Sequence, residues 1–224
     1  MSKWIRDNRG FLALLLMFGL FRSAVATWNP VPTGSMRPTV QEGDVVLVNR
    51  LAYDLKLPLT NIILAPTGEP ARGDIVTFYS PIDGTRLLKR LVALPGDTVE
   101  MSGKVVLVNG RAATYQALAT VSEDDQRGFR GNATHLQERI GAESHVVQWM
   151  EPARDTGRDS FGPLVIPPDH YLMLGDNRDN SADSRYFGLV QRKLLIGRTR
   201  TILVAADIRN DWALRWERFG ATLD

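Results

Sequence analysis

The dipeptide Gly-Asp precedes short apolar runs along this chain, and it constrains the fold more than any other sequence feature. Asp44–Val48 and Asp74–Phe78 each follow a glycine, and the dipeptide recurs at Gly96-Asp97 and Gly175-Asp176. Glycine reaches positive φ and aspartate can bond the nearby backbone, so the pair suits a turn that leads into a strand. The copies are irregularly spaced, so they predict strands and not a sequence repeat.

Other segments extend this β pattern. Strand-like runs occur at Leu87–Val92, Val146–Met150, Leu164–Pro168, Tyr171–Leu174 and Leu194–Ala205. Two apolar runs between residues 98 and 108, with turn pairs at Ser102-Gly103 and Asn109-Gly110, predict a hairpin. Residues 51–70 contain three prolines and are expected to form a loop. The fold class that follows is mainly β.

Composition removes several function classes. The chain has 224 residues, enough for one good core or two modest ones. It contains no cysteine, which excludes thiol catalysis, disulfides and cysteine-bound zinc. His135, His145 and His170 are scattered, and the net charge of +2 gives no sign of nucleic-acid binding. We therefore expect no metal, no cofactor and no nucleic-acid partner.

The N-terminal segment allows two interpretations. Lys3, Arg6 and Arg9 precede an apolar run over residues 11–21, and Ala24-x-Ala26 follows. A basic start, a short apolar run and small residues are typical of a cleaved secretory signal. Alternatively, residues 10–28 form one retained transmembrane helix. At ~1.5 Å per residue, residues 10–27 of this helix would be ~27 Å long. The basic end would then be cytoplasmic and the rest of the chain outside.

Ser35 lies in a stretch, residues 32–39, that cannot be a helix or a central strand. Prolines at both ends of the stretch fix φ and remove backbone donors. Gly34 allows the backbone to approach another group closely, since it has no Cβ. The stretch therefore predicts a stiff turn that presents the Ser35 hydroxyl, although an ordinary serine-containing turn is the alternative.

Lys89 is the candidate base for that hydroxyl. A serine needs a base to become a nucleophile, and the histidines offer no credible one. Lys89 lies on an apolar run where alternation predicts that it points into the core while Arg90 points outward. Burial lowers the pKa of a lysine, as a general base near neutral pH requires. The alternative is a lysine that extends to the surface.

These stretches together resemble bacterial type I signal peptidase, also called leader peptidase. The matching motifs are residues 32–39, Gly43-Asp44, residues 73–76, residues 88–90, residues 94–97 and the segment from Gly175 to Gly188. The resemblance covers most of the chain except about residues 101–162. It implies a signal-peptidase-like β fold in which a catalytic β domain, residues 29–100 and 163–224, carries an inserted second lobe at 101–162. Residues 1–9 would be cytoplasmic and residues 10–28 a single transmembrane anchor, with the catalytic domain on the outer side of a bacterial inner membrane.

The resemblance also assigns residue roles. Ser35 would be the nucleophile and Lys89 the base, and the oxyanion would be bound by the Ser35 amide and the Thr33 hydroxyl, at a position where the family usually has serine. Ser181 would bond the Lys89 amine, and Asp183 would pair with Arg185 and brace the site. Candidate walls of the substrate site are Pro32, Met36, Val40 and Leu88. The aspartates at 176, 179 and 183 suggest a calcium loop, but their spacing does not fit the EF-hand pattern.

The implied substrates are exported preproteins with small residues before the cut, and the implied partner is a lipid bilayer. A related peptidase that matures conjugation or pilus proteins, and a secreted β-rich binding module without activity, are the alternatives. At the C-terminus Trp212, Trp216 and Phe219 stand among Arg209, Arg215 and Arg218. Helical spacing would put the aromatic side chains on one face suited to a membrane interface, whereas alternation over Trp212, Leu214 and Trp216 fits a strand.

Overall fold

The computed structural model of the chain describes residues 3–124, 130–152, 158–208 and 210–223. The helices are α1 (Lys3–Asp7), α2 (Arg9–Ala24) and α3 (Ser184–Phe187). The strands are β1 (Ala26–Pro30), β2 (Asp44–Asn49), β3 (Asp54–Lys56), β4 (Ile63–Pro66), β5 (Ile75–Tyr79), β6 (Arg86–Ala93), β7 (Thr98–Ser102), β8 (Val105–Val108), β9 (Arg111–Ala112), β10 (Thr114–Asp124), β11 (Arg130–Ile140), β12 (Glu143–Glu151), β13 (Phe161–Val165), β14 (His170–Leu174), β15 (Val190–Gln191), β16 (Leu195–Asp207) and β17 (Ala213–Leu214). The mainly β prediction is confirmed.

One large antiparallel sheet organises the chain. Its strand order is β1-β2-β16-β5-β6-β14-β15, and β17 pairs with the end of β16. The inner strands bury apolar side chains: β5 is buried at Ile75, Val76 and Phe78, and β2 at the alternate positions Val46 and Val48. The long strand β16 joins β2 to β5, and so connects the strand that follows the Ser35 turn to the strand beside Lys89.

The described part of the chain also forms three smaller sheets. The order β13-β7-β8-β9 contains the hairpin predicted between residues 98 and 108, which is confirmed. The loop predicted over residues 51–70 is wrong in part, because β3 and β4 pair there. Its prolines do not interrupt this pairing: Pro58 lies between the strands and Pro66 ends β4.

The third small sheet is β10-β11-β12, which we call the insert sheet. The predicted boundaries of the second lobe, 101 and 162, fall within β7 and β13, where Met101 pairs with Phe161. Those strands share one apolar cluster with the large sheet, in which Val99 and Met101 meet Val92 and Leu172. Residues 125–129 and 153–157 of the predicted second lobe lie outside the described residues.

The N-terminal helix ends earlier than predicted. α2 ends at Ala24, and Thr27 and Trp28 instead pair with Val48 and Leu47 across β1 and β2. The span predicted over residues 10–28 is therefore wrong at its C-terminal end, since the strand pairing takes its last residues. Among the helices in the described part of the chain, none combines the length and the apolar character needed to cross a bilayer.

The C-terminal aromatic side chains divide into two groups. Trp212 and Trp216 are 69% and 68% exposed, on either side of β17, which pairs with residues 206–207 of β16. Phe219 instead packs against the apolar cluster that contains Val40 and Ile202. Neither one helix nor one strand covers the stretch, because a single 3-10 turn at Trp216–Arg218 follows β17. Arg209 lies outside the described residues.

Three of the four Gly-Asp pairs form the same turn. The Oδ2 atoms of Asp44, Asp74 and Asp97 each accept a hydrogen bond from the amide three residues earlier, at 2.8, 3.0 and 2.6 Å. The preceding glycines all have φ of 87–88°. The fourth pair, Gly175-Asp176, follows β14 instead of opening a strand, so the strand-leading prediction is wrong there.

Candidate active site

Ser35 lies on a short turn between β1 and β2. The Arg37 amide donates to the Gly34 carbonyl at 3.1 Å, which closes the turn around Ser35. Met36 is 1% exposed and anchors the turn in the apolar cluster below it. Ser35 itself is half-buried, so its hydroxyl is held on a fixed backbone and remains accessible.

Lys89 reaches this hydroxyl from β6. Its Nζ lies 2.6 Å from Ser35 Oγ and donates to the Leu88 carbonyl at 2.9 Å. Lys89 is 3% exposed. Burial lowers the pKa of Lys89 to about 8; the carboxylates of Asp183 and Asp176 oppose this shift and the Arg185 guanidinium adds to it. An appreciable fraction of the amine is therefore neutral near physiological pH, as a general base requires.

Arg90 occupies the next position on β6 and is buried too. The prediction that it points outward is wrong, since it is only 1% exposed. Its Nε and Nη2 lie 2.9 Å from the two carboxylate oxygens of Asp176, and Nη1 donates to the Gly73 carbonyl at 2.8 Å. Successive side chains of β6 alternate between its two faces, but the segment after β14 covers the face that carries Arg90.

Asp176 is the second residue of that segment, residues 175–188, which we call the polar segment. Burial raises the pKa of Asp176, but Arg90 outweighs this effect and holds the pKa below its ordinary value. Thr39 donates its hydroxyl to Asp176 Oδ2 at 2.6 Å. Asp176 is thus an ionised partner of Arg90 and also a link to the turn that carries Ser35.

Asn177 and Gly175 contact the Ser35 turn directly. The Asn177 amide donates to the Ser35 carbonyl and its Nδ2 donates to the Gly34 carbonyl, both at 3.1 Å. A Cβ on Gly175 would lie 2.5 Å from the Ser35 carbonyl oxygen and 2.2 Å from Ser181 Oγ. Glycine is therefore required here for close approach, not for its φ.

The structure places Asp183 and Arg185 together but leaves Ser181 apart from Lys89. Asp183 accepts from Arg185 Nε and Nη2, both at 2.8 Å, and from the Gly175 amide at 3.0 Å. Ser181 Oγ is buried without a hydrogen-bond partner among the described residues, so the expected bond to the Lys89 amine is not formed in this structure. Ser181 packs instead against Gly175.

A cleft of about 530 Å³ lies beside Ser35 and Lys89. Three of the four candidate wall residues, Pro32, Met36 and Leu88, line it, and so does the exposed residue Thr33. Val40 does not: it is completely buried and packs in the apolar cluster beneath the turn. Sequence reasoning missed other residues of the cleft, which come from neighbouring strands and carry no motif: Val31, Val46, Thr77, Tyr79 and Arg86.

One side of this cleft is a strand edge. β5 pairs with β6 from Arg86 to Arg90, whereas β14 pairs with β6 only from Arg90 onward. Within the described residues, positions 86–89 thus have a strand neighbour on one side, and their other side faces the cleft. An extended peptide can add to such an edge by main-chain hydrogen bonds.

Comparison with known proteins matches the chain to one family. The family model described as signal peptidase, peptidase S26, matches residues 2–204. The chain is 35% identical over 188 residues to signal peptidase I of Pseudomonas aeruginosa, covering 82% of this chain and 63% of that protein. It is 27% identical over 256 residues to signal peptidase I of Buchnera aphidicola subsp. Acyrthosiphon pisum, covering 97% of this chain and 82% of that protein.

A crystal structure of a signal peptidase I from Enterococcus faecalis is 32% identical to this chain. The match covers 58% of this chain and 96% of the other, with a TM-score of 0.33. The chain spans less than two thirds of the length of the Pseudomonas aeruginosa protein and also of its Pseudomonas fluorescens counterpart, 63% in each case.

Proposed function

The chain belongs to the signal peptidase, peptidase S26, family, and from that premise we propose that it is a serine endopeptidase that cleaves N-terminal signal peptides from exported preproteins. The observation that carries the proposal is the 2.6 Å approach of Lys89 Nζ to Ser35 Oγ, with the amine buried and its pKa lowered to about 8. A nucleophile within hydrogen-bond reach of a base is the arrangement that acyl transfer needs.

The first half of the reaction forms an acyl-enzyme. Neutral Lys89 takes the proton of the Ser35 hydroxyl as Oγ attacks the carbonyl carbon of the scissile peptide bond. The carbonyl oxygen becomes an oxyanion, for which the Ser35 amide and the Thr33 hydroxyl are the proposed donors. When the carbon–nitrogen bond breaks, protonated Lys89 returns its proton to the leaving amine, and an ester on Ser35 remains.

The second half hydrolyses this ester. Lys89 is neutral again after the amine leaves, so it can take a proton from a water that attacks the ester carbon. The new tetrahedral intermediate collapses, Lys89 gives the proton to Ser35 Oγ, and the signal peptide leaves with a free carboxylate. The ion pairs of Arg90 with Asp176 and of Arg185 with Asp183 keep the base in place through both halves.

The cleft supports an extended substrate. The peptide would add to the edge of β6 at residues 86–88, and alternate side chains would enter the space lined by Met36, Leu88 and Thr77. The lining of this space is mainly apolar, and we propose that it accepts the small residues that precede the cut. Tyr79 and Arg86 stand at the other end of the cleft and would meet residues farther from the cut.

We also propose that the N-terminal helix attaches the protein to the bacterial inner membrane with its N-terminus cytoplasmic. Large apolar side chains of α2 are exposed, including Phe11 at 60% and Leu16 at 63%, which water would not favour. Trp28 follows the helix and stacks beneath the Arg22 guanidinium at 3.9 Å, a pair suited to the headgroup level. Sequencing the N-terminus of the protein made in cells tests this: a start at Thr27 would show a cleaved signal.

The proposal is tested with the full chain in detergent and a preprotein that carries small residues before its cut. We expect cleavage at that bond, shown by sequencing the new N-terminus, and no cleavage by the Ser35→Ala or Lys89→Ala enzymes. Ser102→Ala, a change at an exposed serine of β7, serves as the matched control and should cleave normally. Lack of cleavage by the unchanged protein, or cleavage by Ser35→Ala, would contradict the proposal.

A further inference from the structure

The insert sheet carries a fully buried carboxylate at its centre. Glu138 on β11 is 0% exposed, and its cross-strand neighbours are Tyr115 on β10 and His145 on β12. The Tyr115 hydroxyl donates to Glu138 Oε1 at 2.6 Å, and His145 Nε2 lies 2.9 Å from Oε2. An ionised carboxylate is costly to bury unless every oxygen is satisfied, so this row of side chains serves some purpose beyond filling space.

The group that neutralises Glu138 comes from the polar segment. Arg178 is 1% exposed, and its Nη1 donates to Glu138 Oε1 at 2.6 Å while Nη2 binds the second oxygen. Burial raises the pKa of Glu138, but Arg178 outweighs it and holds that pKa well below the ordinary value. Arg178 Nε also donates to the Gly175 carbonyl at 3.2 Å, so the same side chain shapes the start of the polar segment.

Backbone contacts continue this attachment. The Gln148 amide on β12 donates to the Asp176 carbonyl at 2.8 Å, and the Arg178 amide returns a bond to the Gln148 carbonyl at 3.0 Å. The Met150 amide donates to Asp179 Oδ2 at 2.7 Å. The insert sheet thus holds residues 176–179 along their length.

Two of these four residues, Asp176 and Asn177, also contact the side of the reacting groups. Asp176 binds Arg90, the neighbour of Lys89, and Asn177 binds the carbonyls of Gly34 and Ser35. The polar segment is therefore one layer of chain between the insert sheet and the Ser35–Lys89 pair. Hydrogen bonds on both sides of the segment therefore connect the insert sheet to the Ser35 turn.

We propose that Glu138 is a positioning residue for the reaction, and that the insert sheet acts through Arg178 and Asn177 to fix the Ser35 turn against Lys89. The inference rests on the proposed function and gives the inserted lobe a role in it. A buried ion pair is a weak source of stability compared with apolar packing, but removal of one partner leaves an uncompensated charge. Such a pair is better suited to fixing the position of a segment than to stabilising the fold.

The test compares the full-length wild type with Glu138→Gln and Arg178→Lys. Glutamine keeps the shape of Glu138 but leaves Arg178 without a counter-charge, and lysine keeps the charge of Arg178 but loses its two-pronged geometry. We expect kcat for preprotein cleavage to fall at least tenfold in both variants, with KM within twofold of wild type, because misplacement of the nucleophile affects chemistry more than binding. Arg139→Gln, at the exposed neighbour of Glu138 on β11, is the matched control and should keep the wild-type kcat.

Stability is measured on the same samples, and rates are given per folded molecule well below the melting temperature. If both variants keep kcat within twofold of wild type while only the melting temperature falls, Glu138 is a structural residue and the inference is wrong. If Glu138→Gln does not fold, Arg178→Lys decides by the same criterion.

The rate at which a small acylating reagent labels Ser35 separates this inference from the proposed function. A wild type that is labelled but cleaves no preprotein would refute the proposed function alone. In that case a tenfold slower labelling of the two variants supports the positioning role, and equal labelling overturns it.

Discussion

Arg90 and Asp176 form a two-pronged ion pair directly behind Lys89, with both nitrogen–oxygen distances at 2.9 Å. Their side chains are 2% and 1% exposed, so water screens neither charge. Because Arg90 follows Lys89 on β6, this pair fixes the strand at the position of the base. Asp176 also accepts from Thr39, so the pair connects the base strand to the turn that carries the nucleophile.

We predict that Asp176→Asn destabilises the protein strongly. The change removes the charged partner that binds Arg90 through two hydrogen bonds, and loss of one partner of a buried ion pair costs roughly 3–5 kcal/mol in comparable cases. Thermal or urea unfolding measures the loss. Glu69→Gln is the matched control: Glu69 binds Arg192 at 2.6 Å, but its side chain is 76% exposed, so its removal should cost at most about 1 kcal/mol. Equal losses of unfolding free energy in the two variants would show that burial does not determine how much an ion pair contributes to stability.

Activity should depend on pH through Lys89. The amine acts as a base only when neutral, and its pKa of about 8 lies below the ordinary lysine value because the side chain is buried. The neutral fraction therefore rises with pH, from about a tenth at pH 7 toward completeness above pH 9. We expect kcat/KM for preprotein cleavage to rise about tenfold per pH unit below 8 and then to level off. A profile that is flat between pH 6 and 9 would remove Lys89 from the role of base.

Features that depend on neighbours in sequence could be predicted. The turns at Asp44, Asp74 and Asp97 were predictable because glycine and aspartate impose that geometry within four residues. The approach of Ser35 to Lys89, 54 positions apart, was a hypothesis from the chemistry of the two residues that the family resemblance strengthened, since nothing local joins them.

Features that depend on distant chain segments were missed. Alternation on β6 is correct, yet Arg90 is buried because a segment 86 positions away covers it. Glu138 stands in a polar strand and resembles a solvent-facing residue until Arg178 is placed against it. The early end of α2 has the same cause, since Thr27 and Trp28 pair with β2 instead of continuing the helix.

Gly175→Ala should impair catalysis more than the addition of one methyl group suggests. The new methyl group would lie 2.5 Å from the Ser35 carbonyl oxygen and 2.2 Å from Ser181 Oγ, and the oxygen belongs to backbone that cannot rotate away. The Ser35 turn must then shift, so we expect kcat to fall at least tenfold together with a stability loss of about 1–3 kcal/mol.

Gly96→Ala is the comparison for this prediction. Gly96 has φ of 87°, and no atom lies within 4 Å of the place that an alanine methyl group would take, so alanine there strains the backbone without touching the site. The strain should cost roughly 1–2 kcal/mol and leave kcat unchanged. If both alanine variants lose stability equally and both keep wild-type kcat, close approach at Gly175 has no catalytic importance.

Thr33 provides the last prediction, on oxyanion binding. It is exposed and lines the cleft with Ser35 and Lys89, at the position where the hydroxyl donor is proposed. Thr33→Val keeps the shape of the side chain but removes the hydroxyl, and loss of one such donor typically lowers turnover by ~10²–10³. Thr33→Ser keeps the donor and should retain most of the activity.

Substrate binding should change little in either Thr33 variant, because the hydrogen bond strengthens mainly in the transition state. The competing explanation is that Thr33 only shapes the turn, in which case valine would lower stability by about 1 kcal/mol while folded molecules keep their turnover. Melting temperature and single-turnover rate, measured on the same samples, separate the two explanations. A Thr33→Val enzyme with a normal rate would leave the Ser35 amide as the remaining proposed donor, and the second donor would have to come from another group that lines the cleft.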